Sequence, residues 1–154
     1  MAVIHDPATV EGRRGTIYPA AFARGFEGRI KRALGNAGGL TQFGVNLTTL
    51  EPGAMSAHRH WHAKEDEFVY VLEGELTLVT DAGEETLGPG MAASFPAGEP
   101  NGHQLINKSA SRATYLEVGT RSDDEEAEYP DIDLRLQRRG GRVVFLHKSG
   151  EPYP

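Results

Sequence analysis

Three histidines alternate in the run His58-Arg59-His60-Trp61-His62, and a carboxylate, Glu67, follows five residues after the last of them. Residues two apart in an extended strand leave by the same face, so the three imidazoles point together. Neutral imidazole with carboxylate suits a first-row transition metal better than calcium or magnesium. The chemistry such a centre offers is metal-assisted: polarising a substrate oxygen or, with a redox-active ion, activating dioxygen. The plain alternative is a solvated histidine patch in a loop. No other catalytic pattern competes, since the chain has no Gly-x-Ser-x-Gly elbow, P-loop or His-Glu-x-x-His helix. The glycine-rich run Gly35 to Gly39 lacks a preceding strand and reads as a flexible turn, not a phosphate cradle.

The elements that must position these groups are short strands. From Leu40 to Leu50, Phe43, Val45 and Leu47 alternate with polar residues, a period of two, and Glu51-Pro52-Gly53 ends the run. Met55 to His62 reads as the next extended piece, followed by the β-rich stretch Phe68 to Leu72. Glu73-Gly74 signals a hairpin into Glu75 to Thr80. Glu84 to Leu87, Met91 to Phe95, Gly102 to Asn107 and Arg112 to Val118 continue the series, punctuated by many of the 19 glycines and 9 prolines. Regular short strands of this kind predict an all-β sandwich or barrel. Helix is confined to single turns at Ala20 to Arg24 and Arg29 to Leu34. The acidic run Asp123 to Glu128 reads as an exposed connection, and Arg142 to His147 as a strand that closes a sheet or pairs with a second subunit.

Composition narrows the function classes. The chain has 154 residues, 38% hydrophobic and 25% charged, which fits one globular domain with a real core. A net charge of −6 with scattered basic pairs argues against nucleic acid as a partner. No apolar run approaches the roughly 20 residues of a membrane-spanning helix, and Met1 to Val10 lacks the order of a signal peptide. The absence of cysteine removes thiolate ligands and nucleophiles, and it fits the expected cytoplasmic location.

Two blocks of residues resemble the paired motifs of the cupin superfamily. The first is Pro52-Gly53, His60, His62, Glu67 and Gly74; the second is Gly90, Pro96, Gly98, His103 and Asn107. The likeness covers roughly Leu40 to Gly119. Gly53 lies one residue further from the histidine pair than usual, and the gap from Gly98 to His103 is two residues longer, both in turns that tolerate insertion. A competing frame, His58, His60 and Glu65, fails the family's glutamate-to-Gly74 distance, which His60, His62 and Glu67 meet. The resemblance implies a double-stranded β-helix, or jelly roll, over residues 40–120. An N-terminal arm (1–39) precedes it, and an acidic connection with a C-terminal strand (121–154) follows.

The same resemblance implies one divalent transition metal ion (Mn, Fe, Ni, Co, Cu or Zn) held by His60, His62, Glu67 and His103. About two coordination positions would stay open for water or substrate. His58 is the one candidate for a separate catalytic base, as a proton carrier near the mouth, or else it is polar lining. The expected function is a metal-dependent enzyme acting on a small polar molecule, of dioxygenase, lyase or isomerase type. The alternatives are a non-catalytic module binding a sugar or carboxylate, and a structural barrel with an adventitious metal. A homodimer is expected, with the arm or the Val143 to Leu146 strand as its surface.

Neighbouring residues carry plainer expectations. Arg59 and Trp61 should point away from the metal, and Glu65 and Asp66 should be solvated. Both faces of Phe68 to Leu72 should be core. Asn107 reads as a turn former. Tyr115 and Glu117 share one face of their strand, but the pattern leaves open whether that face is the interior.

Overall fold

The computed structural model describes residues 2–154 as thirteen strands in three antiparallel sheets. In chain order these are β1 (Gly12–Arg14), β2 (Arg29–Ala33), β3 (Phe43–Leu50), β4 (Trp61–His62), β5 (Glu67–Glu73), β6 (Leu76–Thr80), β7 (Gly83–Leu87), β8 (Ala92–Phe95), β9 (Gln104–Ile106), β10 (Ala113–Thr120), β11 (Glu125–Tyr129), β12 (Leu134–Arg139) and β13 (Arg142–Leu146). The first sheet runs β1-β2-β3-β10-β5-β8, the second β13-β12-β11-β4 and the third β7-β6-β9. The all-β jelly-roll expectation holds.

Two cores hold the sheets together. Leu50, Val69, Val71 and Tyr115 of the six-stranded sheet pack against Leu76, Leu78, Leu87 and Leu105 of the three-stranded one. Ala127, Tyr129 and Leu134 of the four-stranded sheet pack with Tyr18 and Phe22 from the N-terminal segment and with Phe145 and Tyr153. Burying such side chains contributes roughly 1.5–3 kcal/mol each.

Several local expectations need correction. Arg29–Ala33 is a strand, not a helical turn, because it is hydrogen-bonded along both edges, to β1 and to β3. The single α-helical turn follows it, at Leu34–Ala37. The Glu73-Gly74 turn does not make a hairpin: β5 lies in the six-stranded sheet and β6 in the three-stranded one, so the chain crosses between layers there. Gly74 is required at that crossing. Its φ is +77°, and a Cβ would stand 2.5 Å from the Arg112 carbonyl oxygen.

The acidic run is also more than a connection. Glu125–Tyr129 forms β11, with Glu125, Ala127 and Tyr129 buried while Glu126 and Glu128 pair outward with Arg139 and Arg135. The strand Arg142–Leu146 pairs with β12 of its own chain. Only one face of β5 is core: Val69 and Val71 are buried, whereas Phe68, Tyr70 and Leu72 are 38–49% exposed.

Candidate metal centre

The three sheets meet where the histidines lie. His62 belongs to β4, which pairs with β11 in the four-stranded sheet. His60 forms an isolated bridge with His103, just ahead of β9 in the three-stranded sheet. Glu67 opens β5 in the six-stranded sheet, opposite Gly119 of β10. The four side chains therefore come from three places, the β4 strand, the His60–His103 bridge and the start of β5, and their convergence depends on how the sheets pack.

Their ligating atoms face one another. His60 Nε2 is 3.2 Å from His62 Nε2, and Glu67 Oε2 is 2.9 Å from His103 Nε2, 3.5 Å from His62 Nε2 and 4.0 Å from His60 Nε2. Atoms of His60, His62 and Glu67 all lie within 4.8 Å of one another, and His103 joins the group through Glu67. Ligands at about 2.1 Å from a shared ion stand about 3 Å apart when at right angles, so these separations fit a transition ion. The tautomer of His60 fits as well. Its Nδ1 lies 2.8 Å from the His58 carbonyl oxygen, which can only accept, so Nδ1 carries the proton and Nε2 presents its lone pair to the cluster.

The rings are braced. Phe95 stacks on His103 with centroids 3.6 Å apart and planes 6° apart, and Tyr129 of β11 stacks on His60 at 5.5 Å. The Nδ1 atoms of His62 and His103 are buried without a hydrogen-bond partner.

Electrostatics follow from burial and crowding. Burial, aided by the neighbouring His62, depresses the His60 imidazole to about 3, so it stays neutral at ordinary pH. Burial opposes charge on His62 too, but the Glu67 carboxylate outweighs it and raises the imidazole above its ordinary value. Burial alone would push Glu67 up; hydrogen bonds from His103 and His62 overcome it and hold the carboxyl well below its usual range. The neutral His60 nitrogen beside the ionised Glu67 oxygen is the kind of donor pair a divalent transition ion binds.

A second group, His62 with Glu65 and Glu125, is also close enough to hold an ion. Its carboxylates are already engaged. Glu65 accepts from the Ser122 amide at 2.8 Å and from Arg138 at 3.0 Å, and Glu125 accepts from the Lys64 and Glu126 amides. Glu65 is thus buried and ion-paired rather than solvated as expected, because Ser122 and, from β12, Arg138 close on it; Asp66 is exposed.

His58 stands elsewhere. Its Nε2 donates to the Phe22 carbonyl at 2.8 Å, and its ring sits among Tyr18, Phe22 and Phe26 with centroids 5.1–6.0 Å away. It does not line the cavity over the cluster. What it contributes there is the carbonyl that orients His60. Arg59 points away as expected, held bidentate by Asp131 at 2.8 Å and contacting Asp81. Asn107 is a buried turn former that donates to the Leu50 and Ser111 carbonyls.

The cavity has a volume of about 280 Å³, near the lower end of small-ligand sites, roughly 300–1,000 Å³. Its far wall comes from β2, β3 and β10. Tyr115 and Glu117 face inward there, which answers the question their strand left open. Lys31 and Asn46 stand beside Glu117, at 3.0 and 3.1 Å from its Oε1. Two further cations, Arg29 and Arg121, line the cavity; both bond to backbone carbonyls and Arg121 also to the Asn36 side-chain oxygen, with no carboxylate paired to either among the described residues. The Arg29 Nε is buried without a partner. Sequence reasoning missed Arg29, Lys31 and Asn46. The available signal was β3, whose polar Asn46 and Thr48 line up on the face that Leu50 buries.

Comparison with known proteins follows the same lines. The cupin domain family matches residues 46–119. No curated protein gives a significant sequence match. Among solved structures, one described as a sugar phosphate isomerase from a cupin superfamily, from Silicibacter pomeroyi, is 47% identical with a TM-score of 0.94, covering 99% of this chain and 97% of that one. A protein assigned as a sugar phosphate isomerase from Acidithiobacillus ferrooxidans is 32% identical with a TM-score of 0.74, covering 79% and 77%. A polyketide cyclase from Streptomyces resistomycificus is 28% identical with a TM-score of 0.64, covering 78% and 80%.

Proposed function

Because this chain belongs to the cupin superfamily, we propose that it is a metal-dependent isomerase acting on a small phosphorylated sugar. His60, His62, Glu67 and His103 hold one divalent transition ion. When bound, that ion supplies Lewis acidity to a carbonyl or hydroxyl oxygen of the substrate. The observation that carries this reading is a single small cavity with a nitrogen-rich ligand cluster on one wall and two uncompensated arginines elsewhere in its lining. Arg29 and Arg121 meet the phosphate, since guanidinium forks match phosphate oxygens. The similarity to the Silicibacter protein supports the isomerase type over dioxygenase or lyase chemistry.

The test is direct. Protein purified without a histidine tag should retain close to one equivalent of a transition metal, and less than about a tenth removes the metalloenzyme reading. Pentose and hexose phosphates incubated with it in deuterated water should interconvert or exchange a carbon-bound hydrogen. Metal retention and sugar-phosphate binding without exchange would favour a binding module instead.

A further inference from the structure

The wall facing the histidines carries groups that the metal cluster does not use. Tyr115 is fully buried, and its hydroxyl lies against the buried Thr48 hydroxyl directly opposite on β3; neither has a partner beyond the other. A phenol that lines a cavity with one hydroxyl neighbour as its sole polar company leaves room for a ligand oxygen. Burial raises the Tyr115 hydroxyl well above its ordinary value, so it remains a donor at working pH. Two residues along the same strand face lies Glu117. Lys31 Nζ and Asn46 Nδ2 both bond to its Oε1, and Oε2 has no hydrogen bond.

The other carboxylates around the cavity are committed. Glu65 and Asp66 each accept a main-chain amide, from Ser122 and Ala97, and Glu67 lies in the histidine cluster. Glu117 has only side-chain partners, and they anchor one oxygen. A carboxylate with one oxygen fixed and the other open is what a proton carrier between adjacent carbons requires.

We infer that Glu117 is the catalytic carboxylate of the isomerase reading above, with the Tyr115 hydroxyl as oxygen-proton relay and Lys31 and Asn46 as positioning residues. The substrate class is an aldose or ketose phosphate with a carbonyl and a hydroxyl on adjacent carbons. Glu117 Oε2 removes the proton from the hydroxyl-bearing carbon, and the C–H electron pair becomes the carbon–carbon double bond of an enediol. The Tyr115 hydroxyl gives its proton to the former carbonyl oxygen and recovers one from the neighbouring hydroxyl. Glu117 then returns its proton to the former carbonyl carbon. Atoms and electrons balance with no external oxidant or reductant.

The experiment compares wild type with Glu117→Gln by metal content, by calorimetric binding of hexitol 6-phosphate and pentitol 5-phosphate, and by deuterium incorporation into hexose and pentose phosphates. Glu117→Gln should keep its metal and bind the polyol phosphates within about threefold of wild type. It should lose deuterium incorporation by about 10²–10⁴-fold. Incorporation within tenfold of wild type overturns the assignment to Glu117 while leaving the isomerase reading standing. A wild type that binds metal and interconverts these sugars without exchange overturns the assignment to Glu117 alone, and one that neither interconverts them nor exchanges a proton overturns both. Should Glu117→Gln lose its metal or its cooperative melt, Glu117→Asp carries the test. Exchange reduced at least tenfold with metal retained supports the role, and exchange equal to wild type overturns it. Tyr115→Phe should slow exchange less than Glu117→Gln does, with metal content unchanged.

Discussion

Glu67 and Glu117 stand on neighbouring strands, two residues apart in register, and line one cavity in opposite company. Glu67 is ringed by imidazoles, Glu117 by an ammonium and an amide. An imidazole surround makes a carboxylate a candidate for a transition-metal donor set, whereas an ammonium and an amide fix one of its oxygens and leave the other open. One residue type thus has two surroundings on one sheet, decided by what the adjoining elements bring to it. Glu125 is a third case, fully buried and occupied with main-chain amides, so it serves the fold.

Replacing the carboxylate of the histidine wall should have the largest effect. Glu67→Ala is expected to lower retained metal to below about a tenth of an equivalent. Several kcal/mol of Lewis-acid stabilisation goes with it, so turnover should fall by at least about a thousandfold. A Glu67→Ala protein that keeps its full metal complement on elemental analysis would dissolve the contrast between the two carboxylates.

Glu125→Ala comes next and should register in stability. It removes the acceptor of the part-buried Lys64 and Glu126 amides and empties a buried site, at a cost of about 1–3 kcal/mol in chemical denaturation. A melting point within a degree of wild type would show that the β4–β11 junction does not depend on it.

Lys31→Met should then lower kcat by about tenfold with KM changed less than twofold, since Lys31 positions Glu117. A matching loss in KM with kcat unchanged would make Lys31 a substrate-binding group instead.

The smallest effect is a pH slope in chelated, metal-free protein. His60 titrates at about 3 in the folded chain against an ordinary 6.5. On acidification the unfolded chain takes up that proton first, so its stabilising contribution is complete above about 6.5 and is lost as pH falls toward 3. Glu67, lowered in the fold, acts with the same sign below its ordinary value; His62, raised, acts with the opposite sign. The melting temperature should fall by a few degrees from about pH 7.5 to about pH 5. His60→Asn should show a shallower slope, and equal slopes in both proteins would remove His60 as the cause.

Much of the strand content was legible locally. Alternation at Phe43 to Leu50 and the glycine and proline breaks marked strands near where they form, because period-two patterning and turn residues act within a few positions. The same alternation misled at β5. Phe68, Tyr70 and Leu72 look as buried as Val69 and Val71, but only the second set meets another sheet. The acidic strand β11 was hidden because the burial of Glu125 depends on amides supplied by a segment 61 residues away.

By itself the sequence determined the all-β class, since alternation and turn residues are local properties, and its resemblance to the cupin motifs suggested His60, His62, Glu67 and His103 as one set. Only the tertiary structure decided what those residues face. It seated His58 among the arm's aromatic rings, turned Asn46, Tyr115 and Glu117 inward, and stitched the histidine strand to β11. The physical reason is that a strand has two faces with equal claim from its own pattern. Which one becomes the wall of a cavity depends on the sheet that packs against it.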